Sequence, residues 1–170
     1  MKILFKIDAK DYEIKDPKNY RPAARAIIII GNKIAMIHSL KYNYFKFPGG
    51  GIEANEKKTD ALIRETKEES GLSIIRSTIK EFGFVKTLQK DKYNKEVFVQ
   101  YNYYYLVEVE KEISKQKLDN YEKEESFTLE FIDPLYAIET NEKELNPNVD
   151  KVMIERETNI LKLLKKKELI

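Results

Sequence analysis

The chain has 170 residues, 35% of them charged, yet a net charge of only +2, and signs so evenly interleaved exclude a general nucleic-acid or membrane-surface binder. It contains no cysteine, which excludes disulfides, thiolate chemistry and cysteine-held zinc. No apolar run approaches the ~18 residues of a membrane helix, and Met1 to Asp8 lacks the apolar centre of a signal peptide, so a cytoplasmic protein forming one domain over 1–170 is expected.

Residues 2–8 alternate apolar and polar, with Ile3, Phe5 and Ile7 on one side, and read as a strand within an N-terminal extension over 1–20. Asp16-Pro17-Lys18-Asn19 is turn chemistry. Ala24 to Ile30, with four consecutive isoleucines, reads as one strand buried on both faces. Gly31-Asn32 is a hairpin turn, answered by a strand from Lys33 to His38. Phe47-Pro48 leads into a loop of three glycines, Gly49 to Gly51. Asn55 is the expected N-cap of a helix over 56–70, which Gly71 stops. Residues 74–89 and 96–109 are β-branched and aromatic and predict a long hairpin. The charged stretch 110–125 reads as a loop with a frayed helical piece. Phe127 to Ile132 is a short strand, and Asp133-Pro134 caps a helix through Ile138. Apolar residues at helical spacing predict a C-terminal amphipathic helix over about 149–167. The order predicts an α/β fold, a mixed sheet flanked by helices on both sides.

The helix after the glycines carries the chemistry. Glu65, Glu68 and Glu69 occupy positions i, i+3 and i+4 and share a face. Like charges at that spacing cost an isolated helix about 0.2–0.5 kcal/mol per pair, and a bound cation would turn that repulsion into coordination. Glutamates supply the hard oxygens that Mg²⁺ takes. Glycines let backbone approach a metal or phosphate without a Cβ in the way. Bound Mg²⁺ polarises a phosphoryl oxygen and acidifies water, and a carboxylate left over from coordination can act as general base. The reaction class this implies is attack of water on a phosphate, with a diphosphate as the natural substrate. Arg64 stands four residues before Glu68, where it can orient a glutamate bidentately or contact phosphate. Arg25 opens the isoleucine strand and is either a phosphate clamp or an edge-strand arginine. Tyr42, Tyr44 and Phe45 flank the glycine loop and are either base-stacking residues or hydrophobic plugs.

Gly50, five residues, Glu56, seven residues, then Arg64-Glu65-Thr66-Lys67-Glu68-Glu69-Ser70-Gly71-Leu72 resembles the Nudix box of the nucleoside-diphosphate-X hydrolases. Every fixed position matches. Thr66 stands where an aliphatic residue is usual, and its methyl is expected to stay packed. The resemblance implies the family's α/β/α sandwich, a mixed β-sheet between helices, over roughly 22–140. It implies Mg²⁺, with Mn²⁺ as a substitute, held by Glu65, Glu68, Glu69 and the Gly49 carbonyl. Glu56 and Gly50 would form the supporting shell around Arg64. Glu65, Glu68 and Arg64 would act in catalysis with a downstream glutamate, here Glu130 ahead of Phe131, with Glu124 and Glu125 as runners-up. Substrate contacts would come from Arg25, Tyr44 and Phe45. On this reading Glu69→Gln abolishes turnover while leaving the thermal midpoint in metal-free buffer unchanged or raised.

The implied activity is Mg²⁺-dependent hydrolysis of a diphosphate linkage in a nucleoside diphosphate-X, a small-molecule nucleotide. The ADP-sugar, coenzyme A and NADH types have signatures that this chain lacks, which favours a nucleoside triphosphate, oxidised ones included. Two other readings use the same residues: a non-catalytic nucleotide-binding or regulatory domain, and an RNA 5′-end pyrophosphohydrolase. Many relatives are homodimers, and residues 2–15 are a candidate exchange element.

Overall fold

The structure is a computed structural model that describes residues 1–143 and 146–170. The N-terminal alternation forms β1 (Ile3–Asp8), and Pro17 leads into a short β2 (Lys18–Tyr20) where only a turn was expected. The isoleucine stretch is two strands, β3 (Ala23–Ile27) and β4 (Ile29–Ile30), in different sheets. Adjacent carbonyls explain the break. Ile27 O accepts from Val107 N–H, whereas Ile28 O accepts from Ala35 N–H in the other sheet. The Gly31-Asn32 hairpin forms as predicted, with β5 (Lys33–Ser39) set so that Ile30 faces Lys33. β6 (Tyr44–Lys46) follows, and the glycines form not a loop but a strand, β7 (Gly49–Gly51), antiparallel to β3 with Gly49 opposite Arg25.

Helix α1 (Lys58–Ser70) begins after Lys57. Asn55 does not cap it, because its φ of +66° is left-handed and a cap needs extended backbone. Gly71 ends the helix at φ +77°, and a Cβ there would meet Ser114 O at 2.0 Å. The chain continues through β8 (Leu72–Ile74), a 3₁₀ turn at Arg76–Thr78, β9 (Lys80–Lys90), β10 (Val97–Leu106) and β11 (Val109–Ile113). It ends with α2 (Asn120–Glu124), β12 (Phe127–Ile132), α3 (Pro134–Asn141) and α4 (Lys151–Lys166). The 110–125 region is expected to be a loop with a frayed helical piece: α2 is that helical piece, with Asp119 and Glu122 forming its capping box, whereas β11, paired with β8, is a strand where loop was expected.

Three sheets result among the described residues. The largest runs β1-β9-β10-β3-β7, with β2 beside β3 along β10; the second runs β12-β5-β4, with β6 on β5; β11 and β8 form the third. Parallel pairs (β1 with β9, β3 with β10) and antiparallel pairs make the largest sheet mixed. β1 closes on β9 of its own chain, Ile3 opposite Phe84. One core lies under α1, where Ala61, Leu62 and Leu72 meet Ala24, Ala26 and Ile28. Another lies under α3 and α4, where Ile160, Leu161 and Leu164 meet Phe45, Phe47 and Tyr104. Each large apolar side chain so buried contributes about 1.5–3 kcal/mol. No helix of the described residues is long and apolar enough to cross a membrane.

Candidate functional site

α1 lies on β7 and β3, so its carboxylates face the glycine strand. Glu69 is 2% exposed. Its Oε2 accepts from Gly49 N–H at 2.9 Å. Its Oε1 is in ion-pair contact with the buried Lys46 ammonium, although the geometry is not that of a hydrogen bond. The Gly49 carbonyl accepts from Arg25 Nη1. The glycines are required by close approach. A Cβ on Gly50 would sit 2.1 Å from Glu65 Oε2, and one on Gly49 (φ +128°) 2.2 Å from Ala24 O.

Arg64 organises the outer carboxylates. Its Nε and Nη2 grip Glu56 bidentately at 2.9 and 2.8 Å. Nη1 donates to Glu65 at 2.6 Å and to Glu68 at 3.3 Å, and Nη2 also reaches Gly51 O at 3.1 Å. The Arg64 hydrogen bond holds the Glu56 carboxyl below its ordinary range, and burial pushes Glu65 above it against the pull of Arg64. Thr66 is fully buried, as its place in the motif required.

Two charged residues missing from the sequence-predicted set belong to this cluster. Lys46, the cation on Glu69, also lies over the Phe127 ring at 4.5 Å. Glu122 on α2 is buried, and burial followed by the Glu69 charge pushes its carboxyl upward while Lys46 opposes. The capping-box pattern Asp119-x-x-Glu122 was legible in the sequence, but its nearness to Glu69 was not.

Glu130 is not brought to the cluster. Leu129 and Phe131 pack on the α1 side, and alternate strand residues face opposite ways. Its carboxylate lies 2.6 Å from His38 Nδ1 instead. Glu125 accepts from Tyr44 and Ser39 hydroxyls. Phe45 is fully buried, stacked on His38, and Tyr44 is 3% exposed, so neither offers an open face to a base. Arg25, by contrast, reaches the site.

The donor set suits a hard divalent cation: carboxylates, one backbone carbonyl, and no sulfur. Among the described residues no three acidic or histidine side chains already converge on one point; Lys46 and Arg64 hold the glutamates, and Arg25 holds the Gly49 carbonyl. Counted as ionised, five carboxylates (Glu56, Glu65, Glu68, Glu69, Glu122) against those three cations leave two negative charges, which one divalent ion would balance. The residues therefore fit such an ion, provided Arg25 and Lys46 yield Gly49 O and Glu69. Beside the cluster, Tyr121, which bonds Glu122, also lines a cleft of about 540 Å³ with Asn19, Arg21, Phe98 and Gln100. A cavity of about 820 Å³ sits by the β9–β10 turn and is lined by none of these carboxylates.

The glycine contacts give a paired prediction. Gly50→Ala meets only the end of a flexible side chain, so the fold should survive within about 1 kcal/mol while Glu65 is displaced and divalent-metal affinity falls. Gly49→Ala meets backbone at a left-handed φ and should cost about 3 kcal/mol or more. Thermal melts and Mn²⁺ titrations of both variants check this.

Residues 19–154 match the NUDIX domain. Over 54 residues the chain is 44% identical to the 8-oxo-dGTP diphosphatase of Buchnera aphidicola, a match spanning 29% of this chain and 42% of that protein. Solved structures share the fold. A NUDIX hydrolase from Nitrosomonas europaea aligns with TM-score 0.58 and 15% identity, over 84% of this chain and 90% of that one. A nudix hydrolase family member from Chromobacterium violaceum aligns with TM-score 0.52 and 18% identity, over 87% and 78%. With a complete box set on this fold and the domain matched over most of its length, the chain belongs to the NUDIX family.

Proposed function

We propose that the chain is a Mg²⁺-dependent pyrophosphohydrolase that cleaves a diphosphate linkage in a nucleoside diphosphate-X, with nucleoside triphosphates, oxidised ones included, as the leading class. The observation that carries this is the clamp of Arg64 on Glu56, Glu65 and Glu68 beside the Glu69–Gly49 contact. The partial likeness to an 8-oxo-dGTP diphosphatase supports the substrate class.

Glu65, Glu68, Glu69 and the Gly49 carbonyl would hold the ion. When bound, Mg²⁺ supplies charge neutralisation on the phosphates and acidifies water. The chain's residues do the rest. Arg64 keeps the glutamates in place, and Arg25 and Lys46, freed from Gly49 and Glu69, turn their charge toward the phosphates. Water attacks one phosphorus, a new P–O bond forms, and the bridging P–O bond breaks with the electron pair leaving on the departing phosphate. The proton from water passes to a carboxylate. Glu122 takes that role in place of Glu130: Asp119 N–H and the Tyr121 hydroxyl hold its carboxyl beside the cluster, and burial raises it above the ordinary carboxylate range.

Glu122→Gln should then lower kcat about 10²- to 10³-fold and leave Mn²⁺ affinity in the nucleotide-free protein within about threefold of wild type. Equal losses in both would make Glu122 a ligand-shell residue instead. The function itself is tested by a panel of canonical and oxidised nucleoside triphosphates, nucleotide sugars and 5′-triphosphate RNA, with Mg²⁺ and product identification. Release of a monophosphate plus pyrophosphate from a triphosphate is expected. Binding without turnover across the panel would establish a non-catalytic domain.

A further inference from the structure

Helix α4 places a buried ion pair behind the glycine strand. Arg156 and Glu157 are consecutive, and their side chains are 3% and 0% exposed. Arg156 Nε donates to Glu157 Oε1 at 2.8 Å. Taking two charges out of water costs several kcal/mol, and apolar residues of similar volume commonly do as well or better for stability. The pair therefore calls for a role other than holding the helix down.

Each member reaches toward the site. Glu157 Oε2 accepts from Phe47 N–H at 3.0 Å, and Oε1 accepts from the Tyr104 hydroxyl at 3.2 Å. Proline has no N–H, so Phe47 offers the last backbone donor before Gly49. The segment is then pinned at successive atoms: Phe47 N–H on Glu157, Pro48 O on Ala26 N–H, Gly49 N–H on Glu69 and Gly49 O on Arg25. Burial would raise the Glu157 carboxyl, but the Arg156 charge, then Arg25, holds it below the ordinary carboxylate range. Glu157 thus stays an acceptor.

Arg156 Nη1 donates to Gln100 Oε1 at 2.8 Å, and the same oxygen accepts from Asn102 Nδ2 at 2.9 Å. A guanidinium only donates. It therefore fixes which end of the Gln100 amide turns toward α4, in a side chain that lines the cleft. Both residues lie beyond the matched domain, which ends at residue 154.

We propose that the Arg156–Glu157 pair is the positioning device of the site: Glu157 fixes the Phe47–Gly49 segment, whose Gly49 carbonyl is read above as an ion ligand, and Arg156 fixes the Gln100 amide in the cleft beside the acidic cluster as a nucleotide contact. This rests on the hydrolase reading above.

Two double variants separate positioning from stability, because each removes both charges and strands neither. Arg156→Met with Glu157→Met deletes the acceptor for Phe47 N–H. Arg156→Met with Glu157→Gln keeps an amide oxygen that can accept it. The first should weaken Mn²⁺ binding in the nucleotide-free protein about tenfold or more, and the second should stay within about threefold of wild type. Both should raise KM for the nucleotide, having lost the hold on Gln100. Equal Mn²⁺ affinities in the two variants, whether wild-type or weakened, would overturn the assignment. Should the Met–Met variant fail to fold, a folded Met–Gln variant with affinity reduced about tenfold overturns it alone. The titration needs no turnover. Inert wild-type protein would sink the hydrolase reading and leave Glu157 still judged, whereas active wild type with unaffected variants would sink only this proposal.

Discussion

Glu69→Gln is expected to remove turnover by at least about 10³-fold, since losing one ligand to a charge-neutralising ion forfeits several kcal/mol at the transition state. It is also expected to lower the thermal midpoint of the metal-free protein. The sequence pattern pointed the other way, because removing one of three like charges relieves repulsion. The structure reverses the sign. Glu69 is almost fully buried, is the counter-charge of buried Lys46, and accepts the Gly49 N–H. Glutamine keeps an acceptor for Gly49 but leaves the ammonium without its counter-charge. Among the described residues the Phe127 ring, 4.5 Å from the ammonium, and the Glu122 charge are what then faces it. Leaving a buried charged group short of its partner costs about 3–5 kcal/mol, against a few tenths for the helical repulsion. Melts in chelator read this directly. A midpoint at or above wild type would mean that Lys46 does not depend on Glu69.

Arg64→Lys should be nearly as damaging to activity, about 10²-fold in kcat/KM, with metal affinity down about 10- to 100-fold. Arg64 donates to Glu56 through two nitrogens while a third serves Glu65 and Glu68. An ammonium is a point charge and cannot keep that fork. Stability should change by less than about 1 kcal/mol, because the Arg64 side chain is 30% exposed and water screens its pairs. Kinetics and melts of this variant check both halves. A lysine variant with near-wild-type kinetics would show that Arg64 supplies charge and not geometry.

Much of the site was legible because the box is local. Spacing alone placed Glu65, Glu68 and Glu69 on one face, set Arg64 among them and stopped the helix at Gly71. The Gly31-Asn32 hairpin, the Phe127–Ile132 strand and the Asp133 cap were equally local. What was missed depends on tertiary placement. The isoleucine run changes sheets at Ile28 because neighbouring carbonyls find partners in different strands, which composition does not reveal. β11 is a charged strand whose Glu110, Lys111 and Glu112 run together and give no alternation. Lys46, Glu122, Arg156 and Glu157 are buried charges in a chain where 35% of residues are charged, and nothing local marks which ones leave the surface. Glu130 is different. The alternation of Phe127, Leu129 and Phe131 already implies that Glu130 faces away from them.

The central claim is that this acidic cluster, with a divalent ion, drives water onto a phosphate. Its most direct test is turnover of the nucleotide panel in ¹⁸O-labelled water with Mg²⁺, read by mass spectrometry of both products. The account predicts ¹⁸O in one phosphate product, none in the other, and no reaction in chelator. No hydrolysis of any panel member with Mg²⁺ or Mn²⁺, together with no Mn²⁺ binding by the wild-type protein, would contradict it.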